Sequence, residues 1–98
     1  MTEFIQLAKE ERHGTTISIA VETNGNGGVA VTGQDLGRAP KESFGSDSYE
    51  YWVRVPEGAL TRLAAELLRE RYLGRLDAVS HFREFCEARN IEHEFGTF

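Results

Sequence analysis

The stretch Ser48-Tyr49-Glu50-Tyr51-Trp52-Val53-Arg54-Val55 runs through Pro56 into Leu60, Leu63, Ala64, Leu67 and Leu68, and its reading decides the fold. Tyr49, Tyr51, Val53 and Val55 alternate with Glu50, Trp52 and Arg54, the period-two pattern of a strand with one buried face. The leucines and alanine that follow recur at helical spacing and form an apolar stripe. A strand and a helix patterned in this way can shelter each other's apolar side. They are the expected nucleus of the fold.

Upstream of this nucleus the pattern is also β. Residues 3–12 predict a first strand, with Ile5 and Leu7 set against Phe4, Gln6 and Ala8. His13-Gly14 predicts a tight turn, the glycine supplying positive φ. Residues 15–22 form a cleaner strand: Ile17, Ile19 and Val21 point one way, and Thr16, Ser18 and Ala20 the other. Its β-branched residues suit a pleated surface. Thr23-Asn24-Gly25-Asn26-Gly27-Gly28 is a strong turn signal, with two Asn-Gly steps, and a third strand returns over residues 29–33. Residues 33–47 hold Gly33, Gly37, Gly45 and Pro40 among mixed charges and predict a long irregular loop before the fourth strand, 48–55.

Downstream, a helix is expected over 56–73, with Pro56 in its first turn, Glu57 at the positive end of its dipole and Gly74 as its C-terminal cap. Asp77 is placed to cap a second helix over 77–89, whose inner face carries Val79, Phe82, Phe85 and Cys86. Asn90 can take the left-handed conformation that ends it. The tail, 91–98, reads either as a short fifth strand or as a plug in which Phe95 and Phe98 enter the core. The sum is an α+β two-layer sandwich: an antiparallel meander of four or five strands followed by two helices on one face.

Ninety-eight residues predict one domain, able to bury roughly 60–70% of the surface that its unfolded chain exposes. An apolar share of 40% with ten aromatic residues argues against disorder. No apolar run is long enough to span a membrane. Met1 to Glu11 carries acids and no apolar stretch, so no secretory signal is expected. The lone cysteine, Cys86, cannot form an internal bridge, which points to a reducing cytoplasm. The net charge is −5, and the deficit of base is shared by both halves of the chain. With no concentration of positive charge, binding to a nucleic-acid backbone is not expected. The acidity fits docking on a basic partner.

Two groups of residues are candidates for function. The face of the sheet opposite the apolar one would carry Ser18, Ala20, Ala30 and Thr32 beside Glu50, Trp52 and Arg54, with Phe4 or Ile5 according to register. Small residues next to one tryptophan read as an ordinary solvated face. They also read as a protein-binding or self-association surface, because Trp and Arg are enriched among binding hot spots. The second group is acidic: Asp35, Asp47 and Glu50. Carboxylates near glycines can hold a divalent cation or act as a base, but their spacing matches no EF-hand loop, and Asx-turn and capping roles account for Asp35 and Asp47.

Other motifs fail. Gly33-Gln34-Asp35-Leu36-Gly37 lacks the spacing and the lysine of a phosphate loop. His13, His81 and His93 have no zinc-ligand spacing, and His81 and Cys86 would point about 140° apart on a helix. Cys86 has no recognisable base and reads as a small buried residue. No cofactor is implied.

Gly33-Gln34-Asp35-Leu36-Gly37, followed by Asp47-Ser48-Tyr49-Glu50-Tyr51 and a leucine-rich helix, resembles a group of small uncharacterised bacterial proteins, many of them actinobacterial. The likeness covers roughly residues 29–70. It implies a bacterial cytosolic protein and brings no activity with it.

The expectation is therefore a non-enzymatic interaction module, a small acidic regulator or an immunity-type inhibitor of a basic partner, with Trp52, Glu50 and Arg54 on its binding surface. The rival is a domain that binds a small ligand or a divalent metal through the 33–47 loop, with Asp35 and Asp47 at its site. A third reading is a homodimer with no other ligand.

Overall fold

The computed structural model describes residues 3–98, the side chain of Phe44 excepted. Met1 and Thr2, the start of the stretch read for a secretory signal, lie outside it. Four strands come first, β1 (Phe4–Arg12), β2 (Thr15–Thr23), β3 (Val29–Gly37) and β4 (Ser48–Val55), with the short helix α1 (Arg38–Phe44) between the last two. A 3-10 turn over Glu57–Ala59 leads into α2 (Leu60–Tyr72), and α3 (Ala78–Ala88) follows. The strands form one antiparallel sheet in the order β1-β2-β3-β4, and with helices following in the chain this is the expected α+β meander. The chain divides into two compact units, Met1–Leu63 and Ala64–Phe98, with the boundary inside α2.

In the first unit the turns are made as their residues require. His13 (φ 51) and Gly14 (φ 80) both take positive φ, the geometry whose twist matches paired strands. At the β2–β3 turn Asn24 Oδ1 accepts the Asn26 and Gly28 N–H groups at 2.9 and 3.2 Å. The backbone bonds Asn24 N–Gly28 O and Gly27 N–Asn24 O complete it.

The predicted loop over 33–47 is corrected: its first third continues β3 to Gly37, and its middle is α1. The glycines that read as breaks are close approaches instead. A Cβ on Gly33 would land inside the Tyr51 ring, and one on Gly37 (φ 119) would meet the Gly14 carbonyl oxygen. Gly37 N–H donates to Asp47 O at 2.8 Å, and Thr15 Oγ1, buried in the sheet, accepts Ala39 N–H at 2.8 Å. These bonds tie α1 to the end of the sheet, and Pro40 is buried there.

The continuous registers between β2 and β3 and between β3 and β4 put Ile17, Ile19, Val21, Val29, Val31, Tyr49, Tyr51 and Val53 on one face, as the alternation predicts. Their burial departs from the expectation of a sealed core. Val53 is 70% exposed, Val31 48% and Tyr49 42%, so Tyr49 is not the core anchor its position implied. Within the sheet the buried apolar side chains are Ala20 and Ala30, on the opposite face. Small side chains flanked by longer ones lose their access to solvent, whereas Val53 and Tyr49 sit on an edge strand with a neighbour on one side alone.

In the second unit α3 packs its aromatic residues near the end of α2. Tyr72 stacks edge-on against both His81 and Phe82, and its hydroxyl meets His81 Nδ1 at 2.6 Å. Cys86 is buried, as expected. Gly74 (φ 81) and Asn90 (φ 53) take the left-handed conformations foreseen for them, and Ile91 N–H caps Cys86 O at 3.0 Å.

Three details differ. Pro56 is extended (φ −73, ψ 162) and precedes the 3-10 turn, its carbonyl accepting Ala59 N–H, so the α-helix proper starts four residues later. Asp77 does not cap α3 with its side chain, because its carboxylate holds Arg75 through two bonds at 3.0 and 2.7 Å. Residues 91–98 form no strand, and Phe95 and Phe98 do not plug a core: Phe95 is 52% exposed and Phe98 fully so.

Candidate interaction face

Antiparallel pairing in register brings side chains from four strands into rows on one face. One row is Gln6, Ala20, Thr32 and Trp52; the next is Phe4, Glu22, Ala30 and Arg54; a third is Lys9, Ser18, Gln34 and Glu50. The two central strands contribute mostly small residues, and the two edge strands mostly long ones. The result is a trough along β2 and β3, floored by Ser18, Ala20 and Thr32 and walled by Phe4 on one side and Trp52 on the other, with a cavity of about 360 Å³. Both walls are open to solvent, Phe4 at 64% and Trp52 at 58% exposure.

Trp52, Glu50 and Arg54 occupy alternate positions of β4, and the structure brings all three together on this face. The Arg54 guanidinium lies 5.8 Å from the centre of the Trp52 ring, within cation–π range. Glu50 Oε1 accepts a hydrogen bond from Gln34 Nε2 at 3.3 Å. Phe4, rather than Ile5, belongs to this face, and the irregularity between Gln6 and Ala8 decides the register beyond it. Glu22 and Gln34 join the lining and were not singled out from sequence. Extending the period-two count of β2 and β3 by one residue on each side would have found both.

The acidic group is not brought together. Asp35 stands on the other face, where Oδ1 accepts the Tyr51 hydroxyl at 2.8 Å. This bond holds the Tyr51 proton above its ordinary pKa, with loss of hydration and the nearby charge of Asp35 adding to the effect. Glu50 faces away from Asp35 across the sheet, and the backbone carbonyl of Asp47 is engaged by Gly37. The Asx turn expected of Asp35 is thus replaced by a cross-strand bond. Around Asp35, α1 and the ends of β1 and β2 enclose a polar cleft of about 510 Å³, where Arg12 pairs with Glu10 and Arg38 with Glu42, both at 2.9 Å. Among the described residues no three His, Cys, Asp or Glu side chains converge as metal ligands would.

The second unit has an apolar cavity of about 450 Å³ between α2, α3 and the tail, lined by Leu68, Tyr72, Val79, Phe82, Cys86 and Phe95 among others. Arg83 lies 4.2 Å above the centre of the Phe95 ring and pairs with Glu87 at 3.0 Å. Sequence periodicity identified Leu68, Val79, Phe82 and Cys86 as parts of apolar helix faces and gave no signal of a cavity. Among the described residues no helix is long and apolar enough to cross a membrane. No family model matches the chain, and neither a curated protein nor a solved structure matches it.

Proposed function

We propose that the chain is a non-enzymatic protein-interaction module, a small acidic regulator or immunity-type inhibitor of a basic partner, and that it binds through the Trp52 face. The observation that carries this reading is the open trough itself: an exposed tryptophan braced by Arg54, beside a floor of small residues that a partner side chain can approach closely. Aromatic and arginine anchors in a shallow depression are where binding energy concentrates in protein interfaces. Glu22 and Glu50 in the lining, with a net charge of −5, favour a partner that presents lysine or arginine. The lone cysteine and the resemblance to bacterial cytosolic proteins support a cytoplasmic setting.

Retention of host-extract proteins on immobilised wild type, Trp52→Ala and Glu50→Lys tests the reading. The expected result is a basic protein enriched at least about tenfold on wild type over either variant, the scale of one lost hot spot. Equal retention on all three would overturn it.

A further inference from the structure

The two edges of the sheet are not alike. β1 carries an irregularity between Gln6 and Ala8 and then the charged run Lys9-Glu10-Glu11-Arg12, features that discourage another strand from adding there. β4 has no such protection. It pairs with β3 in unbroken register from Ser48 to Val55 and contains no proline, no lysine and no bulge. As the last strand of the sheet it has no strand partner on its outer side.

β4 is also complementary to itself. A second copy related by a two-fold axis normal to the sheet pairs residues of equal distance from a common centre. With Trp52 at the centre, Glu50 stands opposite the Arg54 of the second copy, and Arg54 opposite its Glu50. On the same face the two Trp52 side chains meet, and on the other Tyr51 meets Val53 and Tyr49 meets Val55. Every pair is favourable: two of opposite charge, one aromatic, and four of aromatic with β-branched residues. Moving the centre one residue earlier sets Arg54 against Ser48, and one residue later sets Glu50 against Pro56. In either case both charge pairs are lost. The exposed Val53 and Trp52 are the apolar residues that this pairing covers.

We infer that β4 is a self-association edge, and that two copies of this chain join β4 to β4 antiparallel, centred on Trp52, into a continuous eight-stranded sheet. The partner on this edge is a second copy of the chain. This goes beyond the interaction module proposed above: it adds the backbone edge of β4, and Trp52, Glu50 and Arg54 take part in both. The two are told apart by the readout, since self-association of the purified chain with rescue by charge reversal needs no other protein, and retention of a basic host protein needs no second copy.

Sedimentation equilibrium of the purified full chain, from about 10 µM to about 1 mM, tests the inference across the range of weak to moderate dimers. The expected result is a monomer–dimer equilibrium in that range. Glu50→Arg and Arg54→Glu each place like charges opposite one another twice in the dimer, and each should weaken association at least about tenfold. The double variant Glu50→Arg with Arg54→Glu restores both pairs and should return the dissociation constant to within about threefold of wild type. Both positions of the cycle are solvent-exposed, so circular dichroism should read the same fold throughout. A wild-type monomer at every concentration would overturn the inference. So would a dimer indifferent to the single reversals, or single reversals that the double variant fails to rescue.

Discussion

The Tyr51 hydroxyl donates to Asp35 Oδ1 at 2.8 Å by reaching diagonally across β3, over the position held by Gly33. Gly33 is paired directly with Tyr51, and a side chain there would occupy the space of the ring. The glycine, the tyrosine and the aspartate are thus one unit of structure: the first makes room, the second crosses, and the third receives.

Gly33→Ala should therefore break the Tyr51–Asp35 bond even though neither partner is changed. The ring must swing away from the new methyl group, and loss of the bond with local strain should cost about 1–3 kcal/mol. Urea unfolding of Gly33→Ala, Tyr51→Phe and the double variant checks the coupling. The double variant should lose clearly less than the sum of the two singles, because either change alone already removes the bond. Strict additivity would show that the ring does not depend on the glycine.

The same bond has a pH signature. The hydroxyl donates only when protonated, and its pKa in the folded chain is raised above the ordinary value of 10.0. The folded state thus holds this proton more tightly than the unfolded state does. The stabilisation is fully present below about pH 10 and is lost as the pH rises through the folded value. Wild type should lose stability through that alkaline window more steeply than Tyr51→Phe, with the two curves approaching one another as the bond disappears. Parallel curves in chemical denaturation from about pH 8 to about pH 11 would contradict it.

Asn24 should matter more than a turn residue on the surface ordinarily does. Its Oδ1 gathers two backbone N–H groups, from Asn26 and Gly28, and Gly28 is buried. Asn24→Ala leaves both donors to find water and should cost about 1–2 kcal/mol, with Asn24→Asp retaining most of the stability because a carboxylate accepts the same bonds. Thermal unfolding of the two variants beside wild type checks the ranking.

How far the sequence could be read differs between these elements for physical reasons. Period-two alternation is a local property of each strand, and it placed β1, β2 and β4 within a residue or two and put Trp52, Glu50 and Arg54 on one face. The turns were legible because Gly14 and Asn90 take positive φ, which few residues do, and Asn24 has a side-chain acceptor that folds back on the turn. Residues 33–47 were not legible, since glycine and proline signal a break in an isolated chain. Here Gly33 is set by the ring of Tyr51, eighteen positions away, and Gly37 by the carbonyl of Gly14. The trough was half legible: its Trp52 wall follows from β4 alone, while the Phe4 wall depends on the register across an irregular β1. Exposure of Val53 and Val31 was not legible at all, because alternation marks a face and not what covers it.

The last prediction concerns Asp77, where a capping residue was expected and an ion pair stands. Its carboxylate takes two bonds from Arg75 and, chiefly through them, is held below the ordinary carboxylate value of 3.8. Because the folded pKa is depressed, the contribution is present above about pH 4 and disappears as the pH falls through the folded value. Asp77→Asn should therefore narrow its stability gap to wild type on acidification, most visibly at low ionic strength. The pair is exposed, and about 0.15 M salt should screen much of the difference. Had Asp77 been a side-chain cap, asparagine would serve nearly as well at every pH, and the gap would be absent rather than salt-dependent. Denaturation of both proteins at pH 7 and near pH 3, with and without added salt, separates these outcomes.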